Sequence, residues 1–259
     1  MSEPFLFPET IYGHRQRVHW IRSHLRPNDR VVEFGCGTGR LIAMPLLGWG
    51  YDVVGVDLDE TSIEHGREML ERAGLVPNAL LVSDLRNAPG EFDVVVASEV
   101  LEHLRDDDLH SSLAAARRKL RPGGRLLVTV PNGYGEFELE NLLWYRTGLD
   151  RAYRRLRSGR LAGSLRRAKQ SIAEDWAQPE DPMTLADSPH LQRFTWRSIR
   201  RTVENAGFRI FEQRGAILVC GPFTDILFSG MPRVMSVNRR LGRRLGPIAS
   251  DFYLAAEAR

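Results

Sequence analysis

The sequence predicts a doubly wound α/β fold, a largely parallel sheet with helices on both faces. Three observations predict it. Short apolar runs of strand length alternate with segments of helical spacing through the first 130 residues. The strand cores are continuous, as in Val94-Val95-Val96, which suits strands covered on both sides. A glycine-rich turn joins the first of these strands to the helix after it, the place where such folds hold ligands.

The elements follow in order. Thr10 to Arg26 has helical spacing and is closed by Pro27-Asn28. Arg30 to Phe34 is a short buried strand, Gly35 to Gly39 the turn, and Arg40 to Leu47 a helix. Asp52 to Val56 is the second strand, and Glu60 to Ala73 a helix stopped by Gly74. Ala79 to Val82 and Phe92 to Ala97 are strands three and four. Asp107 to Leu120 is a helix ended by Pro122-Gly123-Gly124, and Arg125 to Val130 is strand five. The alternation then breaks. Residues 133–190 read as a helical, Arg-rich insertion over one end of the sheet, a cap for the acceptor, between an α/β core at 1–132 and its remainder at 191–259. That remainder holds a helix from Thr195 to Ala206, a strand from Phe208, an apolar stretch at Ile217 to Cys220, a basic insertion at 221–250 and a final strand at Phe252 to Ala256.

Composition narrows the class. The chain has 259 residues, 42% hydrophobic and 27% charged, which excludes disordered, collagenous and low-complexity classes. Two cysteines, Cys36 and Cys220, make no disulfide framework and point to a reducing compartment. The start Met1-Ser2-Glu3-Pro4 lacks the features of a signal peptide, and the most apolar stretch, Ile217 to Met235, is broken by Asp225 and two prolines. A cytoplasmic protein is expected, with peripheral membrane contact open. The net charge of +3 conceals an asymmetry. Eight basic residues and no acid lie in 151–170, and five and no acid in 231–246. Removing these 13 from the 36 basic residues leaves 23 against 33 acids, so two basic segments sit on an acidic body.

The most informative stretch is Val31-Val32-Glu33-Phe34-Gly35-Cys36-Gly37-Thr38-Gly39-Arg40. Its alternating glycines permit positive φ and close backbone approach to a ligand. A dinucleotide fingerprint needs a glycine at position 40, where Arg40 stands. The run is E-x-G-x-G-x-G, and the acid before the loop suits a ligand with a cation rather than a phosphate. A second acid, Asp57, ends the next strand.

These residues resemble the class I S-adenosylmethionine-dependent methyltransferases over the first 132 residues, and loosely over 195–220. Glu33-x-Gly35-x-Gly37-x-Gly39 is similar to the first motif of that family. The resemblance implies S-adenosyl-L-methionine as cofactor, its methionine part on the loop backbone from Gly35 through Cys36 to Gly39, and its ribose hydroxyls on Asp57 beside Leu58. Ser83-Asp84-Leu85 resembles the adenine site, with Asp84 accepting from the exocyclic amine. Phe92-Asp93, Ser98-Glu99-Val100-Leu101-Glu102-His103-Leu104 and Leu120-Arg121-Pro122-Gly123-Gly124 resemble the motifs of strands four and five. It also implies a Rossmann-like mixed sheet of seven strands, the last antiparallel. Cys36 itself reads as a small residue that fits the loop, and Asp59 as a helix N-terminal acid.

Methyl transfer needs an in-line nucleophile, and a base only where the acceptor loses a proton. Glu99, Glu102 and His103 follow strand four at the ligand end of the sheet and share a face if they lie on a helix. Three readings stand open. His103 is the general base, the assignment adopted here. Alternatively Glu99, Glu102, His103 and a later His190 hold a divalent cation. Glu-x-x-Glu-His resembles the metal-binding signature of ubiquinone-pathway O-methyltransferases and of small-RNA 3′-end 2′-O-methyltransferases, so no metal ligand is assigned and none is ruled out. Thirdly, the cluster is structural. The remaining histidines show no partner pattern.

The stretch Asn132 to Tyr145, with Tyr134, Phe137, Leu142, Leu143, Trp144 and Tyr145, either lines a pocket for a small organic or lipid acceptor or packs the insertion onto the sheet. The arginines of 151–170 are a solvated face, or a surface for an anionic membrane or substrate. No RNA-binding module is recognisable, so nucleic acid is not the expected partner. The expected activity is O-methylation of a small molecule or of a lipid or quinone-like precursor. Its rivals are RNA-end 2′-O-methylation and a non-catalytic, cofactor-binding regulator.

Overall fold

The structure is a computed structural model that describes residues 5–6, 11–136, 190–221 and 231–259, with 140, 143, 146–147, 224–225 and 228 between them. In chain order it contains α1 (His14–Ser23), β1 (Arg30–Phe34), α2 (Ala43–Gly48), β2 (Asp52–Asp57), α3 (Glu60–Arg72), β3 (Leu80–Val82), β4 (Phe92–Ser98), α4 (Asp106–Lys119) and β5 (Leu120–Pro131). The second block holds α5 (Trp196–Asn205), β6 (Phe208–Gly215), α6 (Pro232–Arg244) and β7 (Asp251–Ala258).

The seven strands form one sheet in the order β3-β2-β1-β4-β5-β7-β6. Strands β1 to β5 pair in parallel, and β7 runs antiparallel to both β5 and β6. The mixed sheet with an antiparallel last strand is thus the one the sequence implied. Strand order reverses between β1 and β4, which opens a crevice at their carboxyl ends. Successive strand residues face opposite layers. Val32, Val54, Val95 and Leu126 pack with Leu109 and Leu113 of α4 and Ile199 and Val203 of α5. Val31, Val53, Val94 and Leu127 pack with Val18 and Ile21 of α1, Leu46 of α2, Ile63 of α3 and Met235 of α6.

Several boundaries differ from the sequence reading, each for a local reason. Helix α1 starts at His14 rather than Thr10, because Gly13 takes a left-handed φ of 65° as its N-cap. Helix α2 starts at Ala43 rather than Arg40, since Met44 N–H donates back to Gly39 O at 2.8 Å and closes a turn first. Leu120 opens β5 rather than ending α4, and the register shifts at Phe92/Val94, where Arg121 to Gly124 loop out. The basic insertion at 221–250 contains α6. Among the described residues no helix is long and apolar enough to cross a membrane.

Candidate active site

The loop after β1 is pinned from below. Gly35 N–H and Cys36 N–H both donate to Val56 O of β2, at 2.9 and 3.1 Å. Gly35, Gly37 and Gly39 have φ of +69°, +53° and +69°, the region that favours glycine. Their surroundings differ. A Cβ on Gly35 would fall 2.4 Å from Val100 Cγ2, and one on Gly39 2.8 Å from Leu80 Cδ2, so those two glycines serve packing. A Cβ on Gly37 would meet no described atom within 4 Å. The tip of the loop is therefore bare backbone facing open space, a surface shaped for close approach of a ligand.

The acids around the loop divide their work. Glu33 is buried in β1, and its Oε2 accepts from Ala43 N–H at 2.9 Å. Burial holds its carboxyl well above the ordinary value, with Asp57 adding to the effect. Glu33 thus fastens the start of α2 beneath the loop. Asp57 ends β2 between the loop and the start of α3: Oδ2 accepts from Gly37 N–H at 2.7 Å and Oδ1 from Asp59 N–H at 2.9 Å. Leu58 beside it is 73% exposed, an apolar shelf at the mouth. Asp59 caps α3 by accepting from Ser62 N–H at 3.0 Å, the structural role expected of it. The Cys36 side chain turns inward against Gly55, and burial pushes its thiol up, so only its backbone faces the loop side.

Ser83 N–H donates to Asp57 O at 2.8 Å, which sets the Ser83-Asp84 turn beside the end of β2. Asp84 Oδ1 accepts from Arg86 N–H and Nε at 2.8 Å, and its Oδ2 from Nη2 at 3.0 Å. Those Arg86 bonds hold its carboxyl below the usual range. Leu85 is buried, and its carbonyl accepts from Ala88 N–H at 3.2 Å. Ser98, at the end of β4, bonds Thr129 Oγ1 at 2.8 Å, and Thr129 donates to Glu99 Oε1 at 2.9 Å. Ser98 is therefore the donor of its pair.

The turn after β4 does not supply the helix on which Glu99, Glu102 and His103 would share a face. Leu101–His103 form a single 3-10 turn, and Glu99 takes a left-handed φ of 53°. Glu99 points away from the cluster, with Oε1 3.4 Å from Arg17 Nη2 of α1. Glu102, His103 and His190 do come together, with one donor atom from each lying within 4.8 Å of the others. His103 Nε2 is 3.9 Å from Glu102 Oε1, and the His103 and His190 rings stand edge to face at 5.1 Å. Glu102 O accepts from Leu191 N–H and Gln192 N–H at 2.8 and 2.9 Å, which draws His190 in. Glu102 is buried, and its Oε2 has no hydrogen-bond partner among the described residues. Burial, and then the charge of Glu99, push its carboxyl well up.

A buried group behind this turn escaped the sequence reading. Arg17 also lies 4.0 Å from Asp251 Oδ2 at the start of β7. Burial opposes its charge, but Glu99, Tyr253 and Asp251 outweigh that and hold it protonated. Asp251 is pushed up to about 7 by burial and by Glu99, against the pull of Arg17. Nothing in the spacing of Arg17, Glu99 and Asp251 announces the contact. Of the expected acceptor lining, Tyr134 and Leu143 are exposed, while Phe137, Leu142, Trp144 and Tyr145, like the basic run 151–170, lie outside the described residues.

Comparison with known proteins bears on the family and the fold. A family model described as a methyltransferase domain matches residues 15–213. The chain is 36% identical over 120 residues to a ubiquinone biosynthesis O-methyltransferase of Thiobacillus denitrificans, covering 45% of this chain and 50% of that protein. It is 38% identical over 114 residues to a ribosomal protein L11 methyltransferase of Ralstonia nicotianae, covering 43% and 35% respectively. The chain thus spans half or less of the length of these curated relatives. Its fold matches magnesium protoporphyrin IX methyltransferase of Synechocystis, solved with bound S-adenosylhomocysteine, with a TM-score of 0.56 at 15% identity over 96% of this chain and 83% of that one.

Proposed function

The chain belongs to the class I S-adenosylmethionine-dependent methyltransferases, and on that premise we propose that it methylates an oxygen of a small organic or lipid acceptor of quinone-precursor type, with His103 taking the acceptor's proton. The residues present fit the cofactor. The bare backbone at Gly37 and the Asp57 carboxylate beside the exposed Leu58 make a cradle at the carboxyl ends of β1 and β2. S-adenosylmethionine supplies, when bound, a methyl group made electrophilic by the sulfonium. The loop backbone and Asp57 orient it, and Glu33 and Val56 keep the loop in place. Position and orientation carry most of the acceleration for such a transfer.

The single observation that carries the assignment is the place of His103. It stands on the turn immediately after β4, at the crevice end of the sheet, with the Glu102 carboxyl 3.9 Å from Nε2. A neutral imidazole there accepts a proton from the acceptor hydroxyl, and Glu102 stabilises the imidazolium that results. An oxygen acceptor is supported by the O-methyltransferase relative. The L11 relative makes a protein acceptor the alternative, and RNA-end 2′-O-methylation rests only on the Glu-x-x-Glu-His pattern. A second reading has its own support. Glu102, His103 and His190 form an imidazole and carboxylate donor set suited to a divalent cation, which would lower the pKa of the acceptor hydroxyl. The unpartnered Glu102 Oε2 fits that role, while Glu99, held by Arg17, stands apart from the set.

Single-turnover formation of S-adenosylhomocysteine with fractionated phenolic and lipid acceptors tests both readings. His103→Ala is expected to lower kcat by about 10²-fold with cofactor affinity nearly unchanged. If wild-type turnover resists a chelator, His103 is the base. If the chelator abolishes turnover and a divalent ion restores it, the cluster is a metal site. Full activity in His103→Ala overturns both.

A further inference from the structure

Helix α6 has one buried face and a second, apolar one that is exposed. Met235, Asn238 and Gly242 form the inner face. Asn238 Oδ1 accepts from Leu218 N–H and Val219 N–H at 3.2 and 3.0 Å, and Nδ2 donates to Val219 O at 2.7 Å. A Cβ on Gly242 would come within 2.5 Å of the Ile217 carbonyl carbon, so helix and strand-end segment are in direct backbone contact. The rotation of the helix is thereby fixed. At about 100° per residue, Val234, Val237, Leu241 and Leu245 form a stripe beside that inner face. They are 37, 54, 37 and 42% exposed. Met231 and Ile248, 50 and 63% exposed, extend the apolar surface at both ends. Arg233, Arg240 and Arg244 fall along its outer margin by the same helical arithmetic.

We propose that α6 is an interfacial anchor, which lays its apolar stripe into the surface of a bilayer containing anionic phospholipid while the arginines engage the head groups. Charge complementarity selects this occupant. Residues 231–250 carry five arginines and no acid, so a second copy docked on the same face would set like charges against one another. A nucleic acid would use the arginines but leave the valines and leucines in water. An anionic bilayer serves both halves of the helix, which has the form of known in-plane amphipathic segments.

The position of the helix gives the contact a consequence. Chain leaves the sheet at Gly215 of β6 and re-enters at Asp251 of β7, which pairs with Pro131 at the carboxyl end of β5. The whole excursion therefore springs from the end of the sheet that carries the glycine loop and His103. If the acceptor is a membrane-borne lipid, docking brings that end of the sheet to its source; this clause rests on the proposed function, while the docking itself does not.

The test is sedimentation of the full chain with vesicles of phosphatidylglycerol in phosphatidylcholine, and with phosphatidylcholine alone, at low and high salt. The protein is expected on the anionic vesicles at low salt, with release at high salt. Replacing all three of Arg233, Arg240 and Arg244 by Gln should lower the partition coefficient on the order of a hundredfold. Val237→Asp with Leu241→Asp should abolish binding. Every substituted side chain is exposed, so unfolding temperature and cofactor affinity should match the wild type. No sedimentation of wild type with anionic vesicles at low salt overturns the proposal. So does binding that the aspartates leave intact, which moves the contact to another basic segment. A concentration-dependent dimer that the aspartates dissolve, without vesicle binding, also overturns it and makes the face a contact between copies. These outcomes are read without turnover, so they stand apart from the methyl-transfer assignment.

Discussion

Substitution of Gly37 by alanine separates ligand binding from folding. Gly37 has φ +53°, so a Cβ there brings the left-handed penalty of about 1–2 kcal/mol. No described atom lies within 4 Å of that Cβ, so no clash with the protein is added. For a domain of this size the strain corresponds to a fall in Tm of roughly 2–8 °C. The methyl group intrudes instead on the space above the loop, where the cofactor backbone contact belongs. An extra methyl in a close-packed site costs about 1–3 kcal/mol, or roughly 5- to 150-fold in affinity. Gly50 supplies a matched control. It lies in the turn before β2, at the other end of the sheet, with φ +85° and equally open surroundings. Gly50→Ala should therefore lose comparable stability and keep its affinity. Differential scanning fluorimetry and titration calorimetry with S-adenosylmethionine give the two quantities. Equal affinity in the two variants would refute the reading of the loop as the cofactor cradle.

Two further predictions concern buried charge. Arg17→Met removes the cation between Glu99 and Asp251 and should destabilise by about 3–5 kcal/mol in urea unfolding at about pH 8. Asp251 is raised in the folded state, and more so without Arg17, so the folded form gains stability as pH falls; the loss should shrink at about pH 5.5, and a loss that is small or independent of pH would discard the account. His24 Nε2 is 3.1 Å from Glu212 Oε2, and Nδ1 donates to Trp20 O at 2.9 Å, so the ring serves both partners only when doubly protonated. Burial opposes the charge of His24, but its bonds to Glu212 and Trp20 raise it above 6.5. Its contribution is full below 6.5 and is lost as pH rises through the raised value. Glu212, depressed to about 2 chiefly by the His24 bond, contributes above 4.5 and loses that as pH falls through about 2. Glu212→Gln should therefore be most harmful between those two ordinary values, near pH 5.5, and nearly neutral near pH 9. A melting-temperature difference that is flat from about pH 5 to 9 would discard the pairing.

What was legible in the sequence is what is local along the chain. The strand-turn-helix at Val31 to Arg40, the acid at the end of β2 and the apolar strand cores are short-range patterns, and the structure keeps all of them. The condition of a helix after β4 is not met. Glu99, Glu102 and His103 have helical spacing, but Glu99 N–H donates to Thr129 O at 2.9 Å, which continues the sheet pairing one residue past β4 and turns the chain before a helix can start. Helix α6 was visible only as a basic run. That its valines and leucines face outward follows from the Asn238 and Gly242 contacts to the 217–219 segment, which no periodicity reveals.

The left-handed Glu99 joins these points into one physical argument. Holding a non-glycine residue at φ 53° costs about 1–3 kcal/mol, and it persists only where its surroundings over-determine it. Here the sheet takes its N–H, Thr129 takes one carboxylate oxygen, and Arg17 faces that same oxygen. Behind burial, Glu99 pushes the Glu102 carboxyl up, while Arg17 pulls it down. Arg17, 82 positions before Glu99 in the chain, thus acts on Glu102, the neighbour of the candidate base. The α1 helix, through Arg17, is part of the electrostatic setting of the site.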